Sequence, residues 1–358
     1  MNKTDKWGFL PDTEELERCG SEQLTPGRVI QDSRGLYKIA AGDEIIRAEV
    51  SGAFRYRAVL RSDYPAAGDW VAFRSDDGTA MIERVLPRRT CFSRKTAGDR
   101  TDEQIMAANI DVVFIVFGLD GGRNFAPGSI ERYATLAWNS GATPVIVLNK
   151  ADLCPEEGLE QAVLTAENAA PGVEVKTVSA ATGDGVTGLC ETLAAGTTIA
   201  LAGPSGVGKS SLVNRLAGSG LQRTGSQREA DRKGRHTTTH RELFRLDSGI
   251  ILVDGPGLRE LQLWGAADAA DETFSDIAEF AAECRFSDCS HQGEPGCAVQ
   301  QAVAEGALEA GRYERFLDQK RELAYLNRRQ DRQAADDETR RWKQIKKSMK
   351  AFYKNNPK

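Results

Sequence analysis

The stretch that decides the fold of this chain reads Gly203-Pro204-Ser205-Gly206-Val207-Gly208-Lys209-Ser210. It matches the phosphate-loop pattern G-x-x-x-x-G-K-S, in which glycines let backbone amides wrap around phosphate oxygens and the next helix adds positive potential. We expect Lys209 to reach the β and γ phosphates and the Ser210 hydroxyl to ligate Mg²⁺, with Ser211 in the same helical turn. The context fits, because residues 197–202 predict a strand leading in and residues 211–216 predict a helix leading out.

Strands and helices alternate on both sides of this loop. Apolar runs of strand length cover residues 111–117, 144–148, 173–178, 197–202 and 250–253. Helix-compatible stretches fill the intervals at residues 129–139, 156–169, 184–194 and 211–216. Runs that are apolar throughout are typical of strands buried on both faces. The alternation therefore predicts an α/β domain, with a parallel sheet covered by helices on both faces.

Two short patterns at the ends of predicted strands indicate which base is bound. Asn149-Lys150-Ala151-Asp152 follows the strand at residues 144–148. A carboxylate at Asp152 accepts hydrogen bonds from the N1–H and 2-amino groups of guanine, which adenine does not offer, so it would select GTP over ATP. Ser179-Ala180 fits the loop whose backbone amide meets guanine O6, although two such residues also occur in ordinary loops. Together with the phosphate loop, the patterns predict a GTP site.

A further element is predicted to contact the γ-phosphate. Asp254-Gly255-Pro256-Gly257 follows the strand at residues 250–253 and matches the pattern D-x-x-G. Asp254 would hold Mg²⁺ through a water and the Gly257 amide would contact the γ-phosphate, although the same residues also suit a plain turn. Residues 234–240, Gly-Arg-His-Thr-Thr-Thr-His, suit a switch loop that supplies a threonine ligand to Mg²⁺. Thr238 is our choice for that ligand.

The usual catalytic glutamine after D-x-x-G is missing from this chain. Leu258 stands at its position, and a leucine side chain cannot orient water. His236 and His240 in the predicted switch loop are the nearest candidates for that task, although each also suits a solvated loop. The arrangement predicts slow intrinsic hydrolysis that a partner accelerates by ordering the loop.

A cluster of metal-ligand residues lies toward the C-terminus. Cys284, Cys289, His291 and Cys297 crowd into fourteen positions of a chain that has only three histidines. Three thiols and one imidazole are the donor set of a closed tetrahedral Zn²⁺ site, which leaves no position open for water. The cluster predicts one structural zinc ion per chain.

The N-terminal region has a different pattern, with short strands separated by turn residues. The predicted strands cover residues 27–30, 36–39, 46–50, 69–74 and 79–86. Five short strands fit a small barrel. An OB-fold and an SH3-like barrel would give much the same pattern of strands and turns in the sequence. We favour the OB-fold. Residues 1–22 have no strand or long apolar period, which indicates a mobile lead-in.

Composition and charge set the class of protein. The chain has 358 residues, 40% hydrophobic and 28% charged, and no apolar run long enough to cross a bilayer. The N-terminus has no apolar segment typical of a secretory signal, so we expect a cytoplasmic protein without membrane contact. The net charge of −5 is uneven, because residues 312–358 hold 15 Lys/Arg against seven Asp/Glu.

The C-terminal tail carries most of that positive charge. Its basic residues after Glu338 are Arg340, Arg341, Lys343, Lys346, Lys347, Lys350, Lys354 and Lys358. Trp342, Phe352 and Tyr353 are interleaved with them. Cations with aromatics suit an RNA backbone with stacking on exposed bases, although a solvated helix face or a disordered end would read the same way.

The order of these elements is unusual. The base-reading patterns precede the phosphate loop, whereas an ordinary small GTPase begins with its phosphate loop, so the order predicts a circularly permuted GTPase. Here the sequence resembles the ribosome small-subunit-dependent GTPase A family, the YjeQ or RsgA type, over about residues 24–330. The resemblance includes residues 65–71, Pro-Ala-Ala-Gly-Asp-Trp-Val, and residues 254–260, Asp-Gly-Pro-Gly-Leu-Arg-Glu. Gly255 departs from the threonine usual in that family, with little expected effect on Mg²⁺.

The resemblance implies an architecture and a function. The implied activity is GTP hydrolysis late in maturation of the small (30S) ribosomal subunit, with rRNA binding, stimulation by the subunit and release of the protein on hydrolysis. It also implies zinc at the cysteine cluster and GTP and GDP as ligands. We expect a monomer, although the sequence itself carries no signal for the oligomeric state. The expected divisions are a mobile segment (1–23), an OB-like β-barrel (24–95), a circularly permuted GTPase domain (96–264), a zinc-binding α-helical module (265–330) and a basic tail (331–358).

Two other functions fit parts of the same sequence. One is a P-loop GTPase with another output, such as RNA modification or a regulatory switch for a protein partner. The other is a passive RNA-binding protein whose nucleotide site serves only its structure. GTP turnover with and without 30S subunits distinguishes the three.

Overall fold

Five short strands close into a barrel at the N-terminal end. The computed structural model describes residues 5–8, 13–33, 35–76, 79–95, 103–121, 125–218, 241–255, 272–325 and 328. The first elements are α1 (Thr13–Ser21), β1 (Thr25–Ser33), β2 (Leu36–Ala41), β3 (Glu44–Val50), α2 (Gly52–Arg57), β4 (Trp70–Asp76) and β5 (Thr79–Val85). The strand order is β1-β2-β3-β5-β4, and β4 pairs back onto β1. β3 and β5 run parallel, as in an OB-fold, so the connectivity decides between the two predicted barrels.

Period-two alternation builds the barrel core. Along β3, Ala48 and Val50 are buried, whereas Arg47 is exposed and Glu49 is half-buried. Side chains from the other strands, including Ile39, Phe73 and Ile82, complete one apolar cluster. The predicted strands in this region therefore coincide with the observed ones, because half-buried strands carry the clearest sequence signal.

The segment before the barrel differs from the expected mobile lead-in. Residues 13–21 form α1, and Cys19 on this helix is 1% exposed. Arg84 of β5 bonds to Glu15 at 2.5 Å and to Glu22 at 3.2 Å. These ion pairs and the buried thiol hold α1 against the barrel. A single short amphipathic helix gives too little periodicity to be recognised in the sequence.

A β-hairpin links the barrel to the next domain. Its strands are β6 (Cys91–Lys95) and β7 (Glu103–Ala108), which pair antiparallel as a two-stranded sheet. The predicted domain boundary after residue 95 falls between these two paired strands. Gly68, in the loop before β4, approaches β7 so closely that a Cβ would lie 2.1 Å from the carbonyl oxygen of Ala108.

Arg28 is a buried contact between the barrel and this hairpin. It is 1% exposed, and its guanidinium donates to the carbonyls of Asn109 at 2.9 Å and Gly68 at 3.2 Å. Complete burial lowers the pKa of Arg28 to about 10. The carbonyl partners satisfy a charge that would otherwise be costly to remove from water.

The central domain is a six-stranded α/β sheet. Its elements are β8 (Val112–Gly118), α3 (Pro127–Asn139), β9 (Thr143–Asn149), α4 (Glu156–Ala169), β10 (Glu174–Thr177), α5 (Gly188–Glu191), β11 (Thr198–Ala202), α6 (Lys209–Ala217), β12 (Arg241–Arg245) and β13 (Ile251–Asp254). The order is β10-β9-β8-β11-β13-β12, with only β12 antiparallel among these described strands. Side chains of α3 and α4 join one apolar cluster and those of α5 and α6 another, so helices cover both faces as predicted.

One strand joins this sheet to the barrel. β12 pairs with β13 on one side and with barrel strand β1 on the other. The register places Gln31 opposite Glu242 and Asp32 opposite Arg241. Barrel and central domain therefore share one continuous sheet of eleven strands.

The C-terminal part is helical. It contains α7 (Ser275–Ala282), α8 (Ala298–Glu305) and a helix over residues 310–325, here α9. Phe274 and Phe316 stack edge to face at 5.4 Å and share an apolar cluster with Leu136 of α3. The module thus docks on the central domain. Among the helices of the described residues, none has the length and hydropathy that crossing a bilayer requires.

Candidate nucleotide and metal sites

The phosphate-loop sequence lies between β11 and α6, as predicted. Gly203 has φ 130°, and a Cβ there would lie 2.2 Å from the carbonyl oxygen of Val116. Gly208 has φ 95°, and a Cβ there would lie 2.3 Å from Nδ2 of Asn149. Only glycine allows this backbone to approach β8 and the end of β9 so closely.

Lys209 is held inside the loop. It is 8% exposed, and its ammonium donates to the carbonyls of Gly203, at 2.6 Å, and Pro204. Val207 and Leu212 anchor the loop and α6 in the core. Ser205, Gly206 and Ser211 are exposed, and Ser210 is half-buried at the start of the helix. Charge and hydroxyl groups are thus gathered at one helix N-terminus, which suits a phosphate–metal ligand.

Asn149 joins the phosphate loop to the predicted base-reading loop. Its side chain is 1% exposed, and Nδ2 donates to the carbonyl of Val207 at 2.8 Å. The backbone amide of Ala180 donates to Asn149 Oδ1 at 2.9 Å. One buried amide side chain therefore fixes two loops, whose contacting residues lie 58 and 31 residues after Asn149 in the chain.

Lys150 makes a second connection to the phosphate loop. It has a left-handed backbone with φ 65°, and its ammonium donates to the carbonyl of Gly206 at 2.8 Å. It also forms an ion pair with Asp120, just beyond β8. The sequence analysis missed Asp120, although a carboxylate directly after a buried parallel strand is a usable signal for a site at that sheet edge.

Asp152 lies beside Ser179. The Ser179 hydroxyl donates to Asp152 Oδ1 at 2.5 Å, and Ser179 itself is 1% exposed. The amide of Thr182 donates to the same hydroxyl oxygen at 3.1 Å. Ala151 is fastened by its amide to the carbonyl of Val178 at 3.1 Å. The Asp152 carboxylate is exposed but oriented, as a group that reads a planar base must be.

The predicted γ-phosphate element is only partly described. Asp254 ends β13, next to β11 and the phosphate loop in the sheet. Gly255 is buried, and a Cβ there would lie 2.7 Å from Cγ and 3.0 Å from Cα of Arg241. Arg241 packs against Gly255, so a larger residue at this position would require Arg241 to move. Gly257, Thr238, His236 and His240 lie outside the described residues.

The four predicted metal ligands converge at one point. The ligand atoms of Cys284, Cys289, His291 and Cys297 all lie within 4.8 Å of one another. His291 Nδ1 is 3.6 Å from the sulfurs of Cys284 and Cys297, which are 3.9 Å apart. Tetrahedral zinc has bonds of about 2.3 Å to sulfur and about 2.0 Å to nitrogen. These bonds require about 3.6 Å between the nitrogen and a sulfur and about 3.8 Å between two sulfurs. The donor set and its spacing fit this metal.

Backbone contacts hold the metal ligands in place. His291 has φ 62°, and its carbonyl accepts from Gln300 Nε2 at 3.1 Å and from the Tyr313 hydroxyl. Cys297 is the N-cap of α8. Glu294 accepts hydrogen bonds from Ser290, and these lower the pKa of Glu294 to about 2. The loop is thus braced from several sides, as a closed structural site requires.

Comparison with known proteins gives a consistent result. A model of the RsgA GTPase family matches residues 85–264. The small ribosomal subunit biogenesis GTPase RsgA of Opitutus terrae is 46% identical over 343 residues, which cover 92% of each chain. RsgA 1 of Listeria innocua is 39% identical over 354 residues, 99% of each chain.

Solved structures agree on the fold. The crystal structure of YjeQ from Thermotoga maritima matches with a TM-score of 0.64 and 28% identity, covering 84% of this chain and 99% of that chain. YloQ, a circularly permuted GTPase, matches with a TM-score of 0.60 and 24% identity, which supports the fold alone. Because the matched relatives span almost the whole length of the sequence, the chain belongs to the RsgA GTPase family.

Proposed function

We propose that this protein is a Mg²⁺-dependent GTP hydrolase that binds the small ribosomal subunit late in its assembly and leaves it on hydrolysis. The observation that carries the nucleotide part is the Asn149 side chain, which bonds both the carbonyl of Val207 and the amide of Ala180. A phosphate loop and a base-reading loop tied by one buried residue suit a ligand with a triphosphate at one end and a purine at the other. The names of the matched relatives support the subunit as partner.

Guanine is the base that the residues favour. Asp152 would accept hydrogen bonds from N1–H and the 2-amino group, while Ser179 holds its other contact. The loop at Ser179-Ala180 would place a backbone amide at O6, and Asn149 holds this loop by accepting a hydrogen bond from the Ala180 amide. Lys150 packs along the phosphate loop and would lie beside the base.

The phosphate end has its own set of residues. Lys209 would move from its carbonyl partners to the β and γ phosphates, and Ser210 and Asp254 would hold Mg²⁺, which stabilises the charge that develops during phosphoryl transfer. Thr238 and the Gly257 amide would complete the contacts from the segments beyond the described residues. His236 or His240 would orient the attacking water, because Leu258 cannot.

The metal cluster and the tail would serve RNA binding. Zinc held by the three cysteines and His291 would stabilise a module too small to be rigid without it. The basic tail over residues 340–358 would contact rRNA phosphates. With these assignments the protein would act in the cytoplasm, where subunits mature.

The decisive experiment is steady-state GTP turnover with and without purified 30S subunits. We expect slow turnover alone and a large stimulation by subunits, absent with purified 50S subunits. Turnover that no ribosomal subunit changes would favour a GTPase of another output. No turnover under any of these conditions would favour a passive RNA-binding protein.

A further inference from the structure

Arg215 connects the phosphate-loop helix to the base-reading loop. It lies in the last turn of α6. Its Nε donates to the carbonyl of Ala180 at 3.3 Å, and its Nη2 donates to the carbonyl of Ala181 at 2.5 Å. The two bonds come from one planar guanidinium, so they restrain the orientation of the loop as well as its position.

The loop that Arg215 contacts is a closed unit. Within residues 179–184, the amide of Ser179 donates to the carbonyl of Asp184 at 2.9 Å. The amide of Gly183 donates to the carbonyl of Ser179 at 2.8 Å. Gly183 has φ 100°, and a Cβ there would meet Arg215 Cζ at 3.4 Å, so the guanidinium also packs on this turn. The loop is therefore held together by its own hydrogen bonds and by the packing of Arg215.

Asn149 and Arg215 hold the two neighbouring peptide groups that flank the Cα of Ala180. Asn149 accepts from the amide of Ala180, and Arg215 donates to the carbonyl of Ala180. Asn149 is buried and Arg215 is exposed. The directions of these two peptide groups thus depend on a core residue, Asn149, and on a surface residue, Arg215, that the sequence patterns do not include.

We infer that Arg215 is a positioning residue for guanine recognition, acting through the Ala180–Ala181 peptide group. This inference rests on the proposed GTP site. Arg215 reaches neither the phosphate loop nor Asp152 by any hydrogen bond of the described residues, so its effect is confined to the loop that reads the 6-position of the base.

Three purine nucleotides separate this role from the others. Guanine and hypoxanthine both carry a 6-oxo group, whereas adenine has a 6-amino group there. Hypoxanthine lacks the 2-amino group that Asp152 would read. Loss of Arg215 should therefore weaken GDP and IDP equally and leave ADP unchanged, so the GDP-to-ADP preference falls while the GDP-to-IDP preference stays.

The experiment is competition binding of GDP, IDP and ADP to full-length wild-type protein and three variants. Arg215→Ala should weaken the binding of GDP and of IDP by about fivefold. Each of the two lost hydrogen bonds is charge-assisted but exposed, so each changes the dissociation constant by less than about tenfold. Arg215→Lys can reach one of the two carbonyls and should recover part of the loss. Asn214→Ala, an exposed change on the same helix, should match wild type.

Several outcomes would overturn the inference. Equal loss of GDP, IDP and ADP in Arg215→Ala would mean that Arg215 only supports the phosphate-loop helix. Wild-type affinities in Arg215→Ala, with normal GDP-over-ADP preference, would mean that the loop holds its position without it. A wild-type protein without preference for GDP over ADP would instead refute the proposed GTP site, and the inference with it.

Discussion

Arg312 and Glu131 form an ion pair in the interior, with Nη1 of the arginine 3.1 Å from Oε1 of the glutamate. Glu131 is fully buried and Arg312 is 6% exposed. Arg315 bonds the same carboxylate at 2.7 Å, and Arg312 also bonds Asp276 at 2.7 Å. Charged groups thus fasten the C-terminal module to α3 of the central domain.

Glu131→Gln should destabilise the protein strongly. It removes the buried carboxylate that Arg312 and Arg315 share and leaves Arg312 with Asp276 as its remaining counter-charge. Breaking a buried pair from one side costs about 3 kcal/mol or more. The matched control is Glu322→Gln, because Glu322 pairs with Arg132 between the same two helices in an exposed position. That change should cost about 0.5 kcal/mol. Urea unfolding followed by tryptophan fluorescence measures both, and equal costs would contradict the role of burial.

Asp152→Asn should move nucleotide preference from GTP to XTP. The carboxamide donates where guanine also donates, whereas xanthine presents a carbonyl there. A site built to hydrogen-bond one group can discriminate by about 10⁴-fold against an analogue that lacks this group. Competition binding of GDP and XDP measures the change, and a variant that still prefers GDP would remove Asp152 from base reading.

Lys209→Ala should abolish GTP hydrolysis without unfolding the protein. The ammonium contacts carbonyls of its own loop, so we expect the fold to survive its loss. Ser210→Ala should act similarly through loss of a Mg²⁺ ligand. Turnover assays with circular dichroism as the folding control test both variants. Retained turnover in either would place the phosphates elsewhere.

Removal of the metal should unfold the loop over residues 284–297 and spare the nucleotide site. Structural zinc contributes on the order of 10 kcal/mol to small modules. Elemental analysis should find one zinc per chain, and Cys289→Ser should lose it. Cys190→Ser, a half-buried cysteine outside the cluster, should keep it. Protein purified without chelator and free of zinc would refute the site.

Deletion of residues 340–358 should weaken binding to 30S subunits and reduce its salt dependence. Eight cations leave together, and about half of them contacting phosphate would lower the log–log salt slope by roughly 3. Intrinsic GTP turnover should stay the same, since no predicted nucleotide ligand lies there. An unchanged slope would shift RNA contact to the barrel and the metal module.

The sequence predicts best what depends on short, fixed spacing. The phosphate loop, the base-reading residues around Asn149 and the metal cluster each have a spacing that their chemistry demands, and the structure brings each set together. Strands buried on one or two faces can be predicted equally well, because the pattern of apolar residues that marks them lies within a few consecutive residues.

Contacts between distant segments could not be predicted. Glu131 and Arg312 are 181 residues apart and look like ordinary surface charges of two helices. β12 is too short and too polar, with Arg241, Glu242 and Arg245 among its five residues, to stand out as a strand. Arg215 is one of many exposed arginines, and only the fold places it against Ala180.

The pairing of β12 with β1 also concerns solubility. Within the central sheet, β12 would be the last strand, and its outer side would present unpaired backbone groups, which are a template for aggregation. The barrel covers that side through Gln31 and Asp32. A fragment that begins after the barrel would expose this edge, so we expect it to associate with itself at concentrations where the full chain stays dispersed. The barrel thus protects the edge of the central sheet from pairing with another copy of the chain.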